Sequence, residues 1–351
     1  MRAMPESEGL TDAAPLDRDA ARAAWLRSTD TAPDSARTGT LAFAFAQTGN
    51  PDDPTDEDMD ALKQSVEIAL SAEADRPHLY LERGLAYSDA LRARRQFVPA
   101  QRLNVELIRY AGDNGLFGSS AFARALVQLA DDHLRNGVEG KADEAASMAL
   151  ARYAALDIAA DDPAYMEARL VAGLAKEAMG EHLQAALLYQ SILDALSPDN
   201  PNHADMRKAV TARWLYTQFV VTDSTARTTE GAAKSGKAAP RDDRLGYHWP
   251  LDHMKEGPAK LSPLERRPPK MPRRAGQSGI VVLEYDVTDD GEPTDIEVLA
   301  SWPAFYEEAA TQALSEWTFP PKTEDEPDGY REGLRTSTRF ILRDRDGRTL
   351  Y

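Results

Sequence analysis

Cysteine is absent from the chain. Its absence excludes disulfides, thiolate-bound zinc and a cysteine nucleophile together, and leaves the redox compartment open. Long apolar runs are missing too: Leu41 to Ala46 spans six residues, against the ~18 that a membrane-crossing helix needs. Cations are in deficit, with 41 Lys and Arg facing 58 Asp and Glu for a net charge of −17. A polyanion is repelled by most of such a surface, so nucleic acid is not an expected partner. No nucleophile elbow, phosphate-cradling glycine loop or metalloprotease helix occurs in the sequence. Paired acids such as Glu307-Glu308 stand at a helix start, where the helix dipole accounts for them. The chain therefore reads as non-enzymatic, with no cofactor and no metal.

What is present suits two domains joined by a linker. The chain's 351 residues are too many for one typical core, and 42% hydrophobic residues are enough to pack two. Residues 1–59 read as an uneven, partly helical N-terminal segment. Met1 to Pro15 is polar and acidic and lacks the apolar core of a signal peptide. Arg18 to Arg27 predicts a short helix with Trp25 and Leu26 on its apolar side, and Leu41 to Ala46 predicts a packed helical turn. Asn50 to Asp60 reads as an acidic loop that leads into a helix N-terminus.

Residues 60–221 read as helix after helix. The joints are Arg76-Pro77, Gly112 to Gly115, Asn136-Gly137, Asp161 to Pro163, Gly180, and Ser197 to Pro201. Pro77, Ser120 and Pro163 open successive helix pairs 43 residues apart. Such a period signals stacked hairpins, because one pair cannot cover its own apolar face and its neighbour must do so. In the third unit Gly173, Gly180, Ala185, Tyr189, Ile192 and Pro198 resemble the spacing of a tetratricopeptide repeat. There, small residues let paired helices approach and an aromatic ring plugs the gap.

Residues 222–269 read as a flexible linker, low in complexity at first and then rich in proline, with the basic tail continuing to Gly276. In that tail Lys260, Arg266, Arg267, Lys270, Arg273 and Arg274 face only Glu265. The local charge is opposite to the chain's average, so the tail is either a soluble tether or an electrostatic contact with the acidic helices or an anionic envelope surface. Two histidines, His248 and His253, fall close together in the linker. Without a third ligand of defined spacing they do not specify a metal site, and Tyr247 to Met254 reads as an aromatic-rich segment that pins the linker to the helices.

The last stretch, residues 270–351, carries the strongest pattern. Between Gly279 and Val287, Val281, Leu283, Tyr285 and Val287 alternate with Ile280, Val282, Glu284 and Asp286, the period of a strand. Asp289-Asp290-Gly291 supplies a tight turn, and Thr294 to Ala300 returns antiparallel. Acids at Asp286, Asp290 and Glu297 match part of a calcium-loop spacing, but the flanks are strands where that loop needs helices, so the turn reading stands. After Pro303, Phe305, Ala309, Ala313 and Trp317, joined by Tyr306, Ala310 and Leu314, predict a helix of three to four turns. Phe305, Trp317 and Phe319 are expected in the core under the sheet. Leu334 to Leu342 alternates again and completes a ββαβ unit.

The order of Gly279, Val282, Val287, Asp290, Gly291, Val298, Ser301, Ala309, Ala310, Ala313, Leu314, Trp317, Phe319 and Pro321 resembles the C-terminal domain of TonB, the periplasmic protein that hands inner-membrane energy to outer-membrane receptors. The resemblance runs over residues 270–342. Where that family usually has Tyr-Pro before the first strand, this chain has Met271-Pro272, the entry from the linker. The resemblance implies a periplasmic scaffold, associated with transport, whose leader is absent from the sequence. It implies a protein or peptide partner, such as an outer-membrane receptor, added as an extra strand to the sheet edge at Leu334–Leu342. The residues on show there are either Arg335, Ser337, Arg339 and Ile341, or Thr336, Thr338 and Phe340. The arginines favour an acidic or polar peptide. The fold expected is thus α+β multidomain: a tetratricopeptide-like helical array, a proline-rich linker and a small TonB-like domain. The competing expectation is a structural adaptor, in which the sheet edge makes a homodimer and the helices alone recognise a partner.

Overall fold

The computed structural model describes residues 17–235, 261, 263–266, 268–272, 278–324, 326 and 329–342. His248, His253, Lys260, Arg267, Arg273 and Arg274 lie outside the described residues. Ten α-helices precede a three-stranded antiparallel sheet among the described residues, and one more helix packs within the sheet domain. By packing, the chain divides into two compact units, Met1–Leu129 with Met148–Ile158, and Ala130–Ser147 with Ala159–Tyr351.

The first unit contains α1 (Arg18–Thr31), α2 (Ala36–Ala46), α3 (Asp56–Ser71), α4 (Pro77–Ala93) and α5 (Phe97–Asp113). Trp25 and Phe45 stack at 5.1 Å between ring centres in a core with Ala21, Ala42 and Ala61. Residues 18–46 thus form two packed helices, and α2 pairs with α3 as α4 pairs with α5. A capping box starts α3: Thr55 Oγ1 accepts from Asp58 N, and the Asp58 carboxylate accepts from Thr55 N. Arg18 adds an ion pair to Asp58 at 2.7 Å.

Helices α6 (Ser120–Arg135) and α7 (Glu139–Ala155) contribute to both units. The second unit continues with α8 (Pro163–Ala178), α9 (His182–Ala195) and α10 (Ala204–Ser235). The helices opening at Pro77, Ser120 and Pro163 keep the spacing read from the sequence. Proline at the first helical position suits α4 and α8, because its missing N–H has no partner there anyway. Asp162 caps α8 by accepting from Ala164 N and Tyr165 N, and Gly180 ends it at φ +78°. Helix α9 packs against both α8 and α10. Beginning 41 residues after α8, α10 occupies the place of the first helix of a fourth hairpin. It runs to Ser235, well into the stretch whose composition reads as linker.

The sheet has the order β2-β1-β3, from β1 (Gly279–Val287), β2 (Pro293–Trp302) and β3 (Leu334–Phe340). Gly291, at φ +91°, makes the turn between β1 and β2, closed by the bond from Thr288 N to Glu292 O at 2.8 Å. On one face, Val281, Leu283, Tyr285 and Val287 form the core with Tyr306, Ala310, Leu314, Phe319 and Phe340. Ile280 and Val282 point the other way and are also buried, at 3% and 2% exposure, where α10 crosses the sheet. Leu261 inserts into the same core, and Leu264 N donates to Thr318 O at 2.7 Å. The tail of the presumed linker therefore belongs to the sheet domain.

One expectation needs correction. Phe305 is 46% exposed, while its neighbour Tyr306 is fully buried. A 3-10 turn at Ala304–Tyr306 follows Pro303, so α11 (Glu307–Ser315) starts late and runs nine residues. The tighter turn rotates the stripe by one position, and Tyr306, Ala310, Ala313 and Leu314 cover the sheet.

Candidate functional site: the outer strand of the sheet and the helices behind it

Among the described strands β3 pairs with β1 alone and stands at the edge of the sheet. Its register places Arg335 opposite Glu284, Ser337 opposite Val282 and Arg339 opposite Ile280. These three share the face that α10 crosses. Thr336, Thr338 and Phe340 share the α11 face, where Phe340 stacks on Tyr306 at 4.1 Å between centres. Both faces of β3 are therefore partly covered. Ile341, just past the strand, is 49% exposed. The chain is tied back there by a bond from Leu342 N to Ser278 Oγ at 2.9 Å. Met271 is exposed and Pro272 half-buried, both outside any helix or strand.

The two arginines are engaged differently. Arg335 Nε donates to Glu284 Oε2 at 2.7 Å across the strands. Arg339 reaches back to the helices: its Nη2 is 3.6 Å from Glu177 Oε1 on α8, and its guanidinium lies 5.4 Å from the ring centre of Tyr216 on α10. Glu177 has 2% side-chain exposure and is shared. It accepts from Tyr189 Oη at 2.9 Å and from Arg213 Nη1 at 3.3 Å. Burial raises the Tyr189 phenol well above its usual range, reinforced by the Glu177 charge. For Arg213, burial works against the charge, but Glu177 and Tyr189 together outweigh it and hold the guanidinium more firmly protonated than usual. His182 packs edge-on against Tyr216 at 6.0 Å, and burial lowers its pKa.

Beside this cluster, a cavity of about 180 Å³ opens between the end of β3 and the helices. Its polar lining comes from Arg213, Arg339, Glu139 and Ser278, and its apolar lining from Leu134, Ala178 and Ile341. Sequence reading found the strand and its arginines. It missed Glu177, Arg213 and Tyr216, because nothing local marks a partner 123 residues away, the separation of Tyr216 from Arg339.

At the other end of the sheet, the first acid of the apparent calcium spacing has a structural use. Asp286 Oδ1 accepts from Gly333 N at 2.7 Å. Arg331, 6% exposed, ties the neighbouring loop to Thr288 O and Pro320 O and pairs with Glu326. Among the described residues no group of three or more His, Asp or Glu has metal-site geometry. No helix among them is long and apolar enough to cross a membrane.

Residues 267–342 match the family described as Gram-negative bacterial TonB protein C-terminal, about a fifth of the chain. The resemblance read from the sequence over residues 270–342 is thus shown. Domains of that family serve protein–protein interaction in the bacterial envelope and are not catalytic. No curated protein matches the chain. Among solved structures, the crystal structure of BtubC (BKLC) from P. vanneervenii is similar at 14% identity and a TM-score of 0.48, over 63% of this chain and 92% of that one.

Proposed function

We propose, from the TonB C-terminal domain carried by residues 267–342, that this chain is a non-enzymatic interaction protein of the periplasm. Its sheet takes up an extended peptide along β3, and its helical array holds a second protein. The observation that carries this reading is the position of β3 at the end of the strand order, with β1 as its one neighbour among the described strands. An edge strand offers a row of backbone donors and acceptors, and a peptide strand satisfies them without needing a preformed pocket. An outer-membrane receptor segment is the kind of partner the domain family implies.

The competing reading, an adaptor that dimerises through the same edge, meets an electrostatic obstacle. Antiparallel self-pairing of β3 about Ser337 sets Arg335 against Arg339 twice, and like charges directly opposite destabilise a strand pair. Proline tests the edge. Neighbouring residues of a strand turn their N–H groups to opposite sides, so of Thr338→Pro and Arg339→Pro one removes a donor towards β1 and the other an outward donor. Pull-downs from an envelope extract are expected to lose a partner with the outward variant, while its melting curve stays near wild type. Retention of every partner by both variants contradicts strand addition.

A further inference from the structure

Helix α5 buries Ala100, Asn104, Leu107 and Ala111, whose three- and four-residue spacings mark a single inward face. Outside that face it carries a second apolar line. Val98 and Val105 are 38% and 52% exposed, and Gly112 continues the line one heptad further on. Phe117 covers Gly112, with its ring 3.6 Å from the place a Cβ would take there. Gly115, at φ +68°, turns the chain back at the end of α5, and Leu116 N donates to Ala111 O at 2.8 Å. The Phe117 ring also meets the buried Phe122 ring edge-on, at 5.3 Å between centres. Held in this way, Phe117 is still 45% exposed. Three exposed apolar side chains thus stand in one row along about 21 Å of helix, at 1.5 Å per residue. A lone exposed valine is ordinary, whereas an aligned row marks a contact surface.

Residues a heptad apart keep nearly the same side of a helix, the spacing by which one helix seats against another. Arg102 and Arg109, four residues after each valine, are exposed along one flank of the row. The acids of α5 lie beyond them, and Glu106 is drawn towards α4, where it accepts from Tyr80 Oη at 3.1 Å. We propose that the row of Val98, Val105 and Phe117 docks a helix of a partner protein, apolar at heptad spacing and acidic on the flank that meets Arg102 and Arg109. The chain's net charge of −17 does not decide the matter, because charges beyond about 8 Å are screened at physiological salt. A second copy of this chain fits less well. Packed antiparallel along the same row, it sets arginine flank against arginine flank. The inference rests on the reading that the helical array holds a second protein, and it assigns that protein to α5.

The probe is a pair of acetylated, amidated three-heptad peptides, both with Leu at the apolar heptad positions, one with Glu and the other with Lys at the flanking ones. Each is titrated against the full chain by fluorescence anisotropy. The Glu peptide is expected to bind on the order of tenfold more tightly than the Lys peptide. Val105→Lys should abolish binding, while Leu187→Lys, at an exposed leucine of α9, should leave it unchanged. Arg102→Glu together with Arg109→Glu should reverse the preference. All four side chains are exposed, so melting curves should stay near wild type and the losses report the surface. Equal binding of both peptides, binding that survives Val105→Lys, or no binding by either peptide overturns the site. A dimer in light scattering that Val105→Lys splits identifies a second copy as the occupant and overturns the acidic helix. In pull-downs, a partner kept by both proline variants of β3 and by Val105→Lys overturns the α5 site and leaves the array's role standing. The absence of any partner independent of β3 overturns that role and the site with it.

Discussion

A Cβ added to Gly173 would lie 2.5 Å from the Tyr189 ring, closer than two carbons tolerate. Helix propensity alone says that alanine should gain ~1 kcal/mol at a mid-helix glycine. Overpacking costs ~1–3 kcal/mol, and here the ring is fully buried and bonded to Glu177, so it cannot swing aside. Gly173→Ala is therefore expected to lower stability in urea unfolding, against its propensity. Asp58 gives a second test. Burial pushes its carboxyl up, but bonds from Thr55 and Arg18 together hold it below its ordinary value. A depressed folded-state pKa contributes stability above the unfolded pKa that is lost as pH falls through the folded one. Asp58→Ala should cost about 1 kcal/mol at neutral pH. The difference from wild type should shrink on acidification through and below the ordinary carboxylate range.

Among the elements, β1 was legible nearly to the residue, because its alternation runs unbroken from Gly279 and an Asp-Gly turn ends it. What alternation could not disclose is that both faces are covered. Ile280 and Val282 are as apolar as an inward set, but only α10 lying over them shows what they meet. The helix after β2 was legible as a helix and misphased, since a 3-10 turn after Pro303 leaves no mark in an apolar period. The two faces of β1 predict separable effects. Val282→Glu should raise hydrogen exchange in α10 at least as strongly as in the sheet, because it places a charge against that helix. Val281→Ala should loosen α11 and leave α10 near wild type. If Val282→Glu leaves α10 exchange unchanged, the contact contributes nothing to holding the helix.

For the molecule as a whole, the helical spacing of 43 residues and the composition of the C-terminal fifth both pointed to separate parts, and each part was recognisable. The join was not. A basic, proline-rich segment reads as a tether that lets two modules move independently, whereas Leu261 sits in the sheet core and Arg339 meets α8 and α10. Long-range ion pairs leave no local signature, so the approach of Arg339 to Glu177 was beyond sequence reading. α10 opens 41 residues after α8, and all three strands of the sheet pack against it.

That arrangement constrains how the array can grow. Glu177, Arg213 and Arg339 come from α8, α10 and β3 and meet at one point. A duplicated hairpin inserted after α8 would separate members of the trio, whereas one inserted upstream of α6 would lengthen the array and leave Leu134 and Glu139 beside Arg213 and Arg339. Descendants of this chain should therefore vary in length at the front and keep the last two helical turns of α8 fixed.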